Sequence, residues 1–255
     1  MNKDGVKGNN PKVIATIEAR MTSSRLPGKV LMKCCDTPVL ELMIERVRRS
    51  RLIDDVVVAT TVNKEDDPVI KLCDSIGCSY FRGSEDDVLE RVLLAAKACD
   101  ADVIVELTGD CPFIDWRQVD ELVSIYLEGN YDFVANNIGH SFPVGFDIRI
   151  FRTDMLEELN RTSDNPLDHE HVSIHFPNNP DKFRCFNLEA QGEEHRPELE
   201  VTLDEIGDYK LIKAIFEGLY PKDKDFKCID VIRYIDAHPE LNEYIDGIKR
   251  TVIDY

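Results

Sequence analysis

Apolar residues fall in short blocks along the first half of the chain, and the blocks alternate in character. Val13-Ile14-Ala15-Thr16-Ile17 is nearly continuous, as in a strand buried on both faces. After a polar stretch, Val39, Leu40, Leu42, Met43 and Ile44 recur at helical spacing. Val56-Val57-Val58-Ala59-Thr60 again reads as a buried strand. Pro68 opens a helix through Val69, Leu72 and Cys73, and Ser79-Tyr80-Phe81 is a short strand. Val88-Leu89, Val92-Leu93 and Ala95-Ala96 step along a helix, Val103 to Thr108 is a strand, and Trp116, Val119, Leu122-Val123 and Tyr126 mark another amphipathic helix. Strands separated by helices predict an α/β fold with a mostly parallel sheet flanked by helices on both faces.

The second half is less regular. Phe133-Val134-Ala135, Asp147 to Phe151 and Glu200 to Leu203 read as strands, and Thr153 as the cap of a short helix. A further helix runs through Ile206, Leu211 and Ile215, and two more lie near Ile229 to Ile235 and Leu241 to Val252. Residues 1–11 are polar and rich in Gly and Asn, which reads as a disordered leader; residues 12–255 carry no linker or repeat and read as a single domain.

Composition narrows the function. The 255 residues carry a formal net charge of −18, which argues against tracking a nucleic-acid backbone or an anionic membrane surface. No apolar run approaches the ~20 residues of a membrane span. The eight cysteines include no CxxC pair and read as reduced thiols of a cytoplasmic protein.

Against that acidic background, Glu18 to Lys33 is a basic island carrying Arg20, Arg25, Lys29 and Lys33. It follows the first strand, where open α/β sheets bind ligands. Pro27-Gly28 sets a turn between Arg25 and Lys29, bringing cations together as an anionic ligand requires. The spacing is neither that of a P-loop nor of a dinucleotide fingerprint. Asp110 follows Gly109 at the end of another strand, where a carboxylate facing a phosphate loop would hold Mg²⁺. Its bland alternative, a helix cap, fits Asp115 better. Asp204 ends a later strand and reads on spacing alone as an N-cap. Ser84 or Asp87 likewise reads as a cap for the helix at Val88, with a ribose or base contact as the alternative. Asp168-His169-Glu170-His171 matches no zinc spacing.

The segment Ala19-Arg20-x-x-Ser23-Ser24-Arg25-Leu26-Pro27-Gly28-Lys29 resembles the signature of the cytidylyltransferases that activate acidic sugars, such as the CMP-KDO synthetases. The closer similarity is to the SpsF-like branch of spore coat polysaccharide biosynthesis. It extends to Val58-Ala59-Thr60-Thr61, Phe81 to Leu89, Thr108 to Asp115, Gly145-Phe146-Asp147, Glu170-His171-Val172 and Thr202-Leu203-Asp204. The resemblance implies a nucleotide-diphospho-sugar transferase (Rossmann-like) fold that uses CTP and Mg²⁺ to transfer CMP to an acidic sugar or a sugar or polyol phosphate, often as a homodimer. It places Ala19, Arg20, Ser23, Arg25 and Lys29 at the nucleotide. Among these, Arg20, Arg25 and Lys29 would hold the triphosphate and serve catalysis. It also places Gly83, Ser84 and Asp87 at the nucleoside, and Asp110 and Asp204 at the metal. Two positions depart from the pattern: Thr22, where Gly or Ala is usual, and Glu200, where close relatives tend to carry Arg. Another nucleotide with a sugar 1-phosphate, a nucleotide-sugar-dependent glycosyltransferase and a non-catalytic binding protein are the competing readings. The loop's three cations favour a triphosphate, and Asp110-Cys111-Pro112 is not the Asp-x-Asp expected of a glycosyltransferase.

Overall fold

The apolar block at Val13 becomes an interior strand of a seven-stranded sheet in the computed structural model, which describes residues 11–246. In chain order the strands are β1 (Val13–Glu18), β2 (Lys33–Cys34), β3 (Thr37–Pro38), β4 (Asp55–Thr61), β5 (Ser79–Gly83), β6 (Val103–Thr108), β7 (Phe133–Ala135), β8 (Arg149–Arg152) and β9 (Cys185–Asn187). The helices are α1 (Val39–Val47), α2 (Asp67–Ser75), α3 (Val88–Ala98), α4 (Trp116–Glu128), α5 (Thr153–Thr162), α6 (Pro166–His171), α7 (Ile206–Leu219) and α8 (Cys228–Ala237). The large sheet runs β5-β4-β1-β6-β8-β7-β9, and β2 and β3 form a separate small hairpin. Strands β5, β4, β1 and β6 are parallel. β8 pairs antiparallel to both β6 and β7, and β9 is parallel to β7. After β1 the chain winds outward to β4 and β5, then crosses back to β6 on the other side of β1. The strand order therefore reverses beside β1, and the carboxyl ends of β1 and β6 flank the resulting crevice.

Strand alternation loads both faces of the sheet. Ala15, Ile17, Val56, Val58, Val105 and Leu107 pack with α1, α2 and α4. Ile14, Val57, Ala59, Ile104, Phe133 and Phe151 face α3 and α5 on the other side. A further apolar cluster joins Val39 and Leu42 of α1 to α7 and α8. Each fully buried aliphatic side chain contributes roughly 1.5–3 kcal/mol, so these three clusters set the frame that holds the crevice open.

Several expectations need correction. Glu200 to Leu203 is not a regular strand. It is an extended segment with one parallel bridge, Val144 to Glu200, because no strand among the described residues runs alongside it. Thr153 does not cap α5. Arg152 occupies that position, and the Thr153 hydroxyl instead donates to the Ala101 carbonyl at 2.7 Å. The C-terminal helix expected from Leu241 is a 3-10 turn over Pro239–Tyr244, and its continuation lies outside the described residues, as does the leader up to residue 10. β9, the β2–β3 hairpin and α6 are too short to have left a periodic signal. All eight cysteines are free thiols. No helix among the described residues is long and apolar enough to cross a membrane.

Candidate active site

The basic loop leaves β1 at Ala19 and is pinned at several points. Gly28 adopts φ 75°, a conformation that favours glycine, and its N–H donates to the Met21 carbonyl at 2.8 Å. The turn sets Lys29 at the start of a 3-10 segment, Lys29–Leu31. The Met21 N–H donates to Asp66 at 2.6 Å. Thr22 donates to Glu85 Oε1 at 2.6 Å, Arg20 reaches the same oxygen at 2.9 Å, and Asn63 donates to Glu85 Oε2 at 2.5 Å. Thr22 thus gives this loop a hydroxyl that fastens it to the segment after β5. The Thr22 hydrogen bond, joined by those of Asn63 and Arg20, outweighs the opposing effect of burial and keeps Glu85 below the usual carboxylate range.

Opposite the loop, Gly109 lets β1 and β6 approach closely. Its N–H donates to the Glu18 carbonyl at 2.8 Å, and a Cβ at Gly109 would lie 2.6 Å from that oxygen. Asp110 then turns toward the loop. Lys29 Nζ sits between two carboxylates, 3.1 Å from Asp110 Oδ2 and 2.9 Å from Asp204 Oδ1. Arg25 also contacts Asp204 Oδ1 at 2.9 Å. Burial opposes the charge on Lys29, but Asp110 and then Asp204 outweigh it, so its pKa is raised. Burial would likewise raise Asp110, yet Lys29 and the Thr108 hydroxyl hold its carboxyl below the usual range.

Asp204 is not a cap. The N-cap of α7 is Glu205, which forms a reciprocal capping box with Asp208. Asp115 caps α4, as its spacing predicts, by accepting from the Arg117 N–H at 3.0 Å. Asp87 caps α3, accepting from the Glu90 N–H at 2.9 Å, and lies 2.9 Å from His169 Nδ1. Ser84 Oγ accepts from the Asp87 N–H at 3.0 Å. Gly83 packs under Arg91, whose Cγ would lie 3.0 Å from a Cβ there. Thus Ala19, Arg20, Ser23, Arg25, Lys29, Asp110 and Asp204 line one cavity of about 400 Å³, whereas Gly83, Ser84 and Asp87 lie behind it. Val88 and Arg91 of α3 present that side of the wall.

Sequence reasoning missed the charged floor. Ile14, Thr16 and Glu18 of β1 share a sheet face with Ile104, Glu106 and Thr108 of β6, and β8 brings Arg149 into register with Glu106. At its carboxyl end this face changes from apolar to charged. The signal was present as single charges on otherwise apolar strands. Arg149 donates to Glu106 Oε1 at 3.3 Å and lies 3.8 Å from Asp147 Oδ2. Burial, reinforced by the Glu106 charge, pushes Glu18 up to about 8, with Arg91 and Arg149 opposing. Burial also raises Glu106 and Asp147, partly offset in both by Arg149. These groups line a second chamber of about 230 Å³ that shares Asp110 and Asp204 with the first. The site therefore has a cationic compartment under the loop and an acidic one beside it.

A sequence profile of the cytidylyltransferase family matches residues 14–229. A solved cytidylyltransferase from Leptospira borgpetersenii serovar Hardjo-bovis is 35% identical with a TM-score of 0.86, over 95% of this chain and 100% of that one. Protein MJ1063 of Methanocaldococcus jannaschii is 34% identical over 239 residues, 94% of this chain and 96% of its own length. The spore coat polysaccharide biosynthesis protein SpsF of Bacillus subtilis is 30% identical over 235 residues, 89% of this chain and 95% of its own length. With the profile spanning the sheet, the basic loop, Asp110 and Asp204, this chain belongs to the cytidylyltransferase family.

Proposed function

We propose that this protein transfers CMP from CTP to a small acceptor of the sugar class, releasing pyrophosphate. The observation that carries the reading is the junction of Lys29 with Asp110 and Asp204, under Arg25, at the switch point of the sheet. An acceptor oxygen attacks the α-phosphorus. The bond from that phosphorus to the bridging oxygen breaks, and the electron pair leaves with pyrophosphate. A phosphate-monoester acceptor needs no base. A hydroxyl acceptor passes its proton to a carboxylate of the site or to water.

Phosphoryl chemistry of this kind depends on positioning and charge stabilisation. Arg20, Arg25, Lys29 and the Ser23 segment bind the triphosphate, and Lys29 with Arg25 offsets charge on the leaving group. Backbone near Gly83 and Ser84 supports the nucleoside side through α3. Asp110 and Asp204 fit Mg²⁺, because both already reach a single cation, Lys29 Nζ. No three metal-binding side chains converge among the described residues, and Mg²⁺ is commonly held by one or two carboxylates plus substrate phosphates. Bound there, Mg²⁺ would supply positive charge to the phosphate oxygens.

Thermal shift with each of the four nucleoside triphosphates and Mg²⁺ tests this. CTP should stabilise most, by about 2.7 kcal/mol at a concentration of ~100 times Kd. Asp110→Asn should raise the Mg²⁺ needed for that stabilisation. A pyrophosphate-release screen crossing the nucleotides with acceptors should be positive with CTP. Equal shifts for all four, or a preference for GTP or UTP, would sink the assignment.

A further inference from the structure

We propose that the acceptor presents a basic nitrogen, an amino or amidino substituent, to the acidic chamber beside the phosphate loop. This rests on the cytidylyl-transfer reading above and narrows its acceptor. The chamber wall carries Glu18, Glu106, Asp147, Glu170 and Glu200. Its arginine, Arg149, already contacts Glu106 and Asp147. Glu200 occupies the wall with a carboxylate, and Thr202 donates to it at 2.8 Å. Glu18 keeps its proton near neutral pH, and an anionic substituent entering here would still meet more carboxylates than cations.

A second observation points to an occupant. Glu106 is 2% exposed, and its Oε2 has no hydrogen-bond partner. Ser173 is near enough to favour its charged form, yet neither that hydroxyl nor Oε2 completes a hydrogen bond. Glu18 Oε1 is buried and equally without a partner. Buried carboxylate oxygens lacking donors are costly, and donors on a ligand would relieve that cost. A metal ion fits less well, since the described acids ring a space and no three converge on a point. Hydroxyl groups also donate. The excess of carboxylates over cations, however, favours a donor that itself carries positive charge.

The test uses saturation-transfer NMR on the full chain at pH about 7, where an amine of this kind is largely protonated. The probes are D-glucosamine, D-glucose and D-glucuronate, each with and without CTP and Mg²⁺. Glucosamine should bind at least tenfold more tightly than glucose, and glucuronate most weakly. Glu106→Gln and Glu200→Gln should each cut the glucosamine advantage at least threefold. Glu200 lies at the chamber wall, so its variant carries the test even if the buried substitution does not fold. Glucose or glucuronate binding as tightly as glucosamine overturns the inference, as does silence from all three or an advantage that survives both substitutions. The nucleotide-free samples report the chamber alone. A chain that prefers glucosamine but is not stabilised by CTP would overturn the cytidylyl reading instead.

Discussion

Glu18 ends a strand whose other residues are apolar or small, and its neighbours decide its proton. In the unfolded chain it titrates near the ordinary 4.5, whereas in the fold it titrates at about 8. Between those values the folded state holds a proton that the unfolded state has released. Its contribution to stability is therefore full below about pH 4.5 and lost as pH rises through about 8. Asp110 acts in the opposite sense: its lowered pKa gives stability that is lost on acidification below its ordinary 3.8. Lys29 loses its contribution only above its ordinary 10.5. These windows do not overlap, so Glu18→Gln leaves the Asp110 and Lys29 contributions aside and reports Glu18 together with its coupling to Glu106. Between pH 5 and pH 8.5 the variant's melting temperature should fall less than the wild type's, by at least about 1 kcal/mol or roughly 2–4 °C. Parallel pH profiles from calorimetry would show that Glu18 is already ionised in the fold.

At the scale of elements, α1 and α7 show how the site is supplied with side chains. α1 turns Leu40, Met43, Ile44 and Val47 to the sheet, and Val39 and Leu42 to α7 and α8. This two-sided pattern docks the C-terminal helices beside the crevice. α7 begins with Glu205 as N-cap, leaving Asp204 one residue outside the helix, where it reaches Lys29 and Arg25. Capping by Glu205 and the ion pairs of Asp204 are thus separated by one peptide bond, and the proposed metal role of Asp204 can be tested apart from the cap. Glu205→Ala should cost about 1 kcal/mol in denaturant unfolding and leave the Mg²⁺ dependence of CTP stabilisation unchanged. Asp204→Asn should do the reverse. If Glu205→Ala shifts the Mg²⁺ titration and Asp204→Asn does not, the two roles have been assigned the wrong way round.

Across the whole molecule, Arg46 ties distant segments together. It is 2% exposed and donates to the carbonyls of Phe113, Ile114 and Phe226 at 3.2, 3.1 and 3.0 Å, while its guanidinium stacks 4.1 Å from the Phe226 ring. Burial lowers its pKa to about 10, with Asp115 opposing. The contact joins α1, the approach to α4 and the approach to α8, and so couples the sheet layer to the C-terminal helices. Arg46→Leu would leave three buried carbonyls without that donor. The expected loss is at least about 3 kcal/mol, roughly 6–12 °C in melting temperature. It should appear by calorimetry as one shifted transition. A loss under about 1 kcal/mol would mean that the C-terminal helices hold their place without it.

The central strands, the helices between them, the turn at Gly28 in the basic loop and the Asp115 cap were legible in the chain, because hydrophobic period, turn residues and caps are local properties. Family resemblance also singled out Asp110 and Asp204. What the chain alone left open was decided by contacts between residues far apart in sequence. Spacing favoured Asp204 as a cap, and only the Glu205–Asp208 box and the reach of Lys29 across 175 residues made it part of the site. Thr22 looked like a departure until Glu85 came to lie beside it. The acidic chamber could not be read in advance, because Glu18, Glu106 and Arg149 stand on three strands. Their common face exists only once β8 runs antiparallel to β6 in its particular register. Strand pairing carries no local signature, so charges that look isolated along the chain become one compartment only when the sheet closes around them.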